Sequence, residues 1–200
     1  MSGTVPPLVI VLTGPSGVGK DAVFDQMVKR LIPMARPATM TTRAPRAGEQ
    51  EGVHHYFVTP EGFERAFAAG ELLERSGEYG KQYGVPRSSV RSALATGDDV
   101  VIRVDIRGAE SLRELIPDAL FVCLMPQRVG DLVVRLDQRA TEDAIERASR
   151  LEKAPGEIER AFHFCAMVVN AQERLDETVD EILRLMDDER MRPGRAAIGV

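Results

Sequence analysis

The apolar run Leu8-Val9-Ile10-Val11-Leu12 leads through Thr13 into Gly14-Pro15-Ser16-Gly17-Val18-Gly19-Lys20-Asp21, and this stretch decides the fold. Five consecutive apolar residues are short for a helix and suit a strand buried on both faces. Asp21 to Leu31 then places Val23, Phe24, Met27, Val28 and Leu31 on one helical face. A strand, a G-x-x-x-x-G-K turn and a helix form the context in which this spacing cradles phosphate. The glycines let the backbone curl so that successive N–H groups and the helix N-terminus point at phosphate oxygens, while Lys20 reaches the β and γ groups. Gly14, Pro15, Ser16, Gly17, Val18, Gly19, Lys20 and Asp21 are therefore candidate residues for binding ATP. Asp21 stands where Ser or Thr ordinarily donates a hydroxyl ligand to Mg²⁺. A carboxylate is a hard oxygen ligand and suits a helix N-terminus, so Asp21 is also a candidate metal ligand. It adds negative charge beside a polyphosphate, which a cation must offset.

Outward from the loop, further apolar runs at Val100 to Val104, Ala119 to Leu124 and Ala166 to Val169 read as buried strands. Arg87 to Thr96, Gly108 to Leu115, Gly130 to Arg139 and Leu175 to Asp188 have helical periodicity. Alternating strands and helices predict βαβ units: an α/β fold, a P-loop parallel sheet flanked by helices. Two segments break the rhythm. Residues 37–85 hold turn clusters, short β-type pieces (Met40 to Arg43, His55 to Val58) and a short helix after Pro60, which predicts an inserted, β-containing acceptor lobe. Residues 139–162 are helical and densely charged with little apolar face, as expected of a solvated lid. The core then comprises residues 1–36, 86–138 and 163–190, and residues 191–200 are expected to form a flexible tail.

The 200 residues carry 26 Lys plus Arg against 31 Asp plus Glu, net −5, which disfavours nucleic-acid binding through a general positive field. Anion binding must be local. Only four of the 26 basic residues are lysines, Lys20, Lys29, Lys81 and Lys153; genome composition by itself produces such an arginine bias. Cys123 and Cys165 are too few for a disulfide framework, so a reducing cytoplasm is the expected setting. Neither a secretion signal nor a membrane span is expected, because Met1 to Pro7 lacks a charged region followed by an apolar stretch and no run approaches about eighteen apolar residues.

Thr41-Thr-Arg-Ala-Pro-Arg-Ala-Gly-Glu49 resembles the T-T-R-x-P-R-x-G-E segment of guanylate kinases. Gly52 to Val58, Leu73-Glu74, Tyr83-Gly84, Asp105 to Gly108, Arg139 to Glu142, Arg150 and Val168 to Asn170 fall in that family's order, so the resemblance covers roughly residues 8 to 186. It implies transfer of a phosphoryl group from MgATP to GMP. By resemblance Arg43, Arg46, His55 and Tyr83 hold the GMP phosphate, His55 standing where the family has a tyrosine. Independently, Pro45 prevents helix through Arg43 to Arg46, so two guanidinium forks can converge on one dianion. Glu74 matches the carboxylate that accepts hydrogen bonds from guanine N1 and N2, Thr39 matches a hydroxyl position near the base, and Asp105 is a further candidate for binding GMP. Adenine has no donor at N1, and an unpaired buried carboxylate rejects it. Arg139 and Arg150 match lid arginines that close on the ATP phosphates, with Arg147 a candidate assistant, and Asn170 matches a position near adenine.

Val85 replaces a hydroxyl residue of the family's base pocket, and Arg103 replaces the first acid of a D-x-D pair. Strand Val100 to Val104 should lie beside the phosphate loop, so the acid gained at 21 and the base gained at 103 are expected to pair within about 6 Å. Gly-Lys-Asp and Tyr-Gly-Val also resemble ribose 1,5-bisphosphate phosphokinases, whose acceptor has no base. Arg43, Arg46, Glu49 and Glu74 together favour GMP. A binding module without turnover is the remaining alternative, and the intact loop with Lys20 argues against it. Monomer and homodimer both remain open.

Overall fold

The structure is a computed structural model that describes residues 6–30, 32–46, 48–78, 80–133 and 144–200. At its centre lies β1 (Val9–Thr13), all five residues buried. It pairs in parallel with β7 (Asp99–Arg103) on one side and β8 (Leu120–Met125) on the other. With β2 (Met34–Ala35) and β9 (Ala166–Val169) at the edges, the order is β2-β7-β1-β8-β9, every pairing parallel. A strand flanked on both sides and covered on both faces has no polar side, which is why its sequence reads as unbroken apolar residues.

The alternation of β1 divides the interior in two. Leu8, Ile10 and Leu12 pack with Val23 and Met27 of α1 (Lys20–Lys29) and with Val179, Ile182 and Met186 of α6 (Leu175–Met191). Val9 and Val11 point the other way, onto Val90 and Ala93 of α3 (Arg87–Leu94) and Ala109 and Leu112 of α4 (Ile106–Leu115). The carboxyl ends of the strands thereby gather Gly14, Arg103, Asp105 and Asn170 at one edge, where open α/β sheets bind ligands.

Residues 39–86 form a second sheet, order β4-β3-β6-β5, from β3 (Thr39–Thr41), β4 (His55–Phe57), β5 (Leu72–Glu78) and β6 (Lys81–Pro86). Helix α2 (Pro60–Ala68) begins at Thr59, whose hydroxyl accepts from the Gly62 N–H, and its Phe63 and Ala66 join Leu72 in a small core of the lobe. The β5–β6 hairpin was not legible in the sequence, because Glu74-Arg75-Ser76-Gly77 offers little strand propensity. A register shift between Leu72 and Arg75 lets Leu73 join the central core.

Two expectations need correction. Helix α5 (Ala144–Phe162), within the expected lid, buries Ala154 and Ala161 completely and packs Leu151 on the core, so it is more than a solvated element. Its inward face is built of small residues, which carry weak apolar signal. The carboxyl tail is docked as well: Ile198 and Val200 pack on the core, Arg91 donates to the Val200 carbonyl, and Arg195 donates to the carbonyls of Pro6 and Pro7. No described helix is long and apolar enough to cross a membrane.

Candidate active site

The glycine loop has φ values of 139°, 82° and 104° at Gly14, Gly17 and Gly19, a left-handed backbone that side chains disfavour. At Gly14 a Cβ would stand 2.4 Å from the Leu124 carbonyl oxygen, so space as well as conformation demands glycine there. Lys20 Nζ donates to the Gly14 carbonyl at 2.6 Å, folding the side chain over the loop. Arg150, on α5, donates to the Ser16 hydroxyl, which brings an expected lid arginine onto the loop. Arg139 lies outside the described residues, as does the side chain of Arg147.

Asn170 lies beneath the loop. It is 4% exposed; its Nδ2 donates to the Val18 carbonyl at 2.8 Å and its Oδ1 accepts from Thr178 at 3.1 Å. Val18, itself fully buried, is thus pinned from beneath by a residue at the end of β9. These bonds make Asn170 a brace of the loop.

Asp21 and Arg103 form the expected ion pair in direct contact. Leu12 and Arg103 are register partners on β1 and β7, which puts the guanidinium beside the first turn of α1. Its Cζ lies 5.6 Å from the centroid of the Phe24 ring, in range for a cation–π contact. Burial lowers the Arg103 pKa to about 10.

In the lobe, Arg43 is held as a fork. Nη1 donates to Glu49 Oε2 at 2.7 Å, Nη2 to Oε1 at 2.5 Å, and Nε to the Tyr83 hydroxyl at 3.1 Å. Glu49 also accepts from the Arg46 backbone N–H at 2.7 Å, and these bonds, Arg43 foremost, depress its pKa to about 2. His55 Nε2 accepts from Arg43 at 3.3 Å, which leaves the proton on Nδ1 to donate to Thr39 Oγ1 at 2.6 Å. Burial and the neighbouring Arg43 push the His55 pKa down to about 4, so the ring is neutral at pH 7. The Arg46 side chain is exposed at the rim.

Glu74 is 4% exposed, and its Oε2 is a buried atom without a hydrogen-bond partner. Burial first, and Asp105 second, raise its pKa to about 8. Asp105 caps α4 by accepting from the Gly108 N–H at 2.8 Å. Gly108, matched in the sequence only as part of the Asp105 to Gly108 run, owes its role at the site to space: a Cβ there would lie 2.8 Å from Glu74 Oε2. Val85 is fully buried and packs in the central core.

One cleft of about 450 Å³, within the range of small-molecule sites, joins these groups. Of the residues expected to bind ATP, Gly14, Ser16, Gly17, Gly19, Lys20 and Asp21 line it, together with Arg150; Pro15, Val18 and Asn170 do not. All of Thr39, Arg43, Arg46, His55, Glu74, Tyr83 and Asp105 line it. So do Asp25, Arg36 and Ser76, which lie in no recognisable motif. A phosphate loop thus faces an arginine fork and a buried carboxyl group across one cavity, an arrangement for a phosphate donor and a polar acceptor bound together.

Known proteins share this plan. The chain is 40% identical over 181 residues to guanylate kinase from Streptomyces coelicolor, covering 90% of each chain. It is 36% identical over 195 residues to guanylate kinase 2, chloroplastic/mitochondrial, from Oryza sativa, covering 97% of this chain and 68% of the relative. A crystal structure of guanylate kinase from Anaplasma phagocytophilum superposes with a TM-score of 0.74 at 28% identity, covering 96% of this chain and 90% of that one. Since the family profile described as Guanylate kinase spans residues 7–189, loop, lobe and α5 included, the chain belongs to the guanylate kinase family.

Proposed function

We propose that this protein carries out the family's reaction, ATP plus GMP giving ADP plus GDP, in the cleft between the glycine loop and the lobe. The observation that carries the acceptor assignment is Glu74, a buried carboxyl with an unpartnered oxygen in the same cavity as the Arg43 fork. Guanine presents two donors, N1–H and the N2 amino group, to such a carboxylate. Adenine offers only an acceptor at N1. Arg43 and Tyr83, with Arg46 at the rim and His55 behind, receive the GMP phosphate; Glu49 keeps the guanidinium fork oriented until it arrives. Thr39 and Asp105 bound the base side.

Phosphoryl transfer requires positioning and neutralised charge more than covalent chemistry. Lys20 and the loop N–H groups hold the triphosphate, and Arg150, already at Ser16, adds charge where the transferred group passes. Asn170 keeps the loop in shape. Arg139 is assigned to the same arginine set by family position. The donor set suits a divalent cation. Asp21 presents a carboxylate with 66% of its side chain exposed at the α1 N-terminus, which fits Mg²⁺ bound by one carboxylate and substrate phosphates. When bound, Mg²⁺ supplies charge neutralisation on the β and γ oxygens.

We assign residues 37–85 as the acceptor lobe and 139–162 as the lid of a P-loop core. Two free thiols, Cys123 and Cys165, suit a reducing cytoplasm. A coupled ADP-release assay with GMP, AMP and ribose 1,5-bisphosphate tests the reading. Turnover with GMP alone is expected. Turnover only with the sugar overturns the acceptor, and none with any acceptor overturns the enzyme.

A further inference from the structure

We propose that Arg103 is a positioning residue for the donor-phosphate site: it holds the Asp21 carboxylate as the protein's metal ligand and cancels that carboxylate's charge against the triphosphate. The inference rests on reading the glycine loop as an ATP site.

Asp21 lies in the first turn of α1, directly after the lysine of the loop. A carboxylate there is close to the bound phosphates. With about 6 Å between unit charges and an effective dielectric of about 40, the repulsion alone weakens binding by about tenfold. Arg103 answers this from an independent element. Its backbone is fixed by pairing of β7 with β1, its guanidinium lies over Phe24, and its side chain is only 16% exposed, against 66% for Asp21. The cation is the buried, fixed partner and the acid the exposed one, and both line the cleft.

The contact falls on Asp21 Oδ1, so the carboxylate retains a second oxygen to offer a cation. Arg36 occupies the same aromatic platform, its Cζ 5.7 Å from the Phe24 centroid, and together with Asp25 and Lys20 it lines this part of the cleft. A hydroxyl would ligate the metal without this repulsion. A carboxylate needs a fixed counter-charge, and Arg103 supplies it on the strand beside the loop.

Calorimetric titration of the 200-residue chain with ATP, in MgCl₂ and separately in EDTA, tests the pair. R103Q should lose about tenfold in ATP affinity in EDTA and less than twofold at saturating Mg²⁺, because the metal takes over the neutralisation. D21S should weaken Mg²⁺ binding to the ATP complex by about tenfold. D21S/R103Q should return the EDTA affinity to within about twofold of wild type, and R103K should stay within about threefold. A merely structural ion pair changes melting temperature but shifts ATP affinity equally with and without Mg²⁺, and that outcome overturns the inference. So does D21S with unaltered Mg²⁺ affinity, a variant that decides the matter even if R103Q fails to fold. Wild-type protein that binds no ATP in either buffer overturns the nucleotide reading and this inference with it.

Discussion

Guanine capture at Glu74 should release a proton. Burial and Asp105 hold the carboxyl near pKa 8, so at pH 7 about 0.9 of the unliganded molecules carry it as the acid. Accepting two hydrogen bonds from guanine requires the anion, and those bonds draw the pKa of the complex far below 7. Each GMP bound at pH 7 should therefore expel about 0.9 proton from this group. The apparent dissociation constant should follow the fraction ionised, tightening about eightfold between pH 7.0 and 8.5 and then levelling. Calorimetry in two buffers of different ionisation enthalpy measures the proton count directly. The GMP phosphate, with its second pKa near 6, contributes about 0.1 proton at pH 7. E74Q keeps that contribution and loses the rest. If wild type and E74Q release the same number of protons, Glu74 does not receive the base. Folding carries the opposite slope: the native state holds this proton while the unfolded chain loses it near pH 4.5, so stability should fall as pH rises from about 4.5 to 8 and flatten above.

Three substitutions test other parts of the cleft. R150A removes a cation at the loop and should lower kcat roughly 10²- to 10³-fold with little change in GMP affinity; an unaltered kcat in the ADP-release assay would remove it from the donor site. N170A strips the Val18 carbonyl of a buried donor and should cost roughly 1–3 kcal/mol in urea denaturation while weakening ATP binding and sparing GMP. In G108A the new Cβ meets Glu74 and Val104 at 2.8 and 2.9 Å, so KM for GMP should rise roughly tenfold while KM for ATP stays constant; the reverse pattern in steady-state kinetics would contradict the geometry.

What the sequence discloses follows from how local the physical cause is. The central strand, the loop and α1 are readable because each residue's neighbours in sequence dictate its state: an apolar run, glycines, then a helical stripe. Arg43 and Arg46 are readable because Pro45 fixes the backbone between them. Even the Asp21–Arg103 pair is legible, since two departures of opposite charge fall at adjacent strand and loop ends. The β5–β6 hairpin is hidden because Glu74, Ser76 and Gly77 are chosen for the cleft and not for strand propensity. Arg36 and Gly108 gain their meaning only across space, one over Phe24 and the other against Glu74. Asn170 falls in a family position, yet its partners, Val18 and Thr178, lie on the loop and on α6, and only the fold shows that it braces the loop.

The placement of β1 sets a timetable for biosynthesis. β1 precedes its partners in the sequence: it needs Val100 to Ile102 on one flank and Leu120 to Cys123 on the other, and the loop behind it waits for Asn170. Loop closure over such separations is slow compared with local helix formation. Until those residues are made, a nascent chain carries Val9–Thr13 as an unpaired apolar segment prone to aggregate. The loop gains its brace only once Asn170 has docked, so ATP binding should report that β9 is in place, and a product truncated before residue 170 should be recognised by chaperones and proteases rather than by substrate.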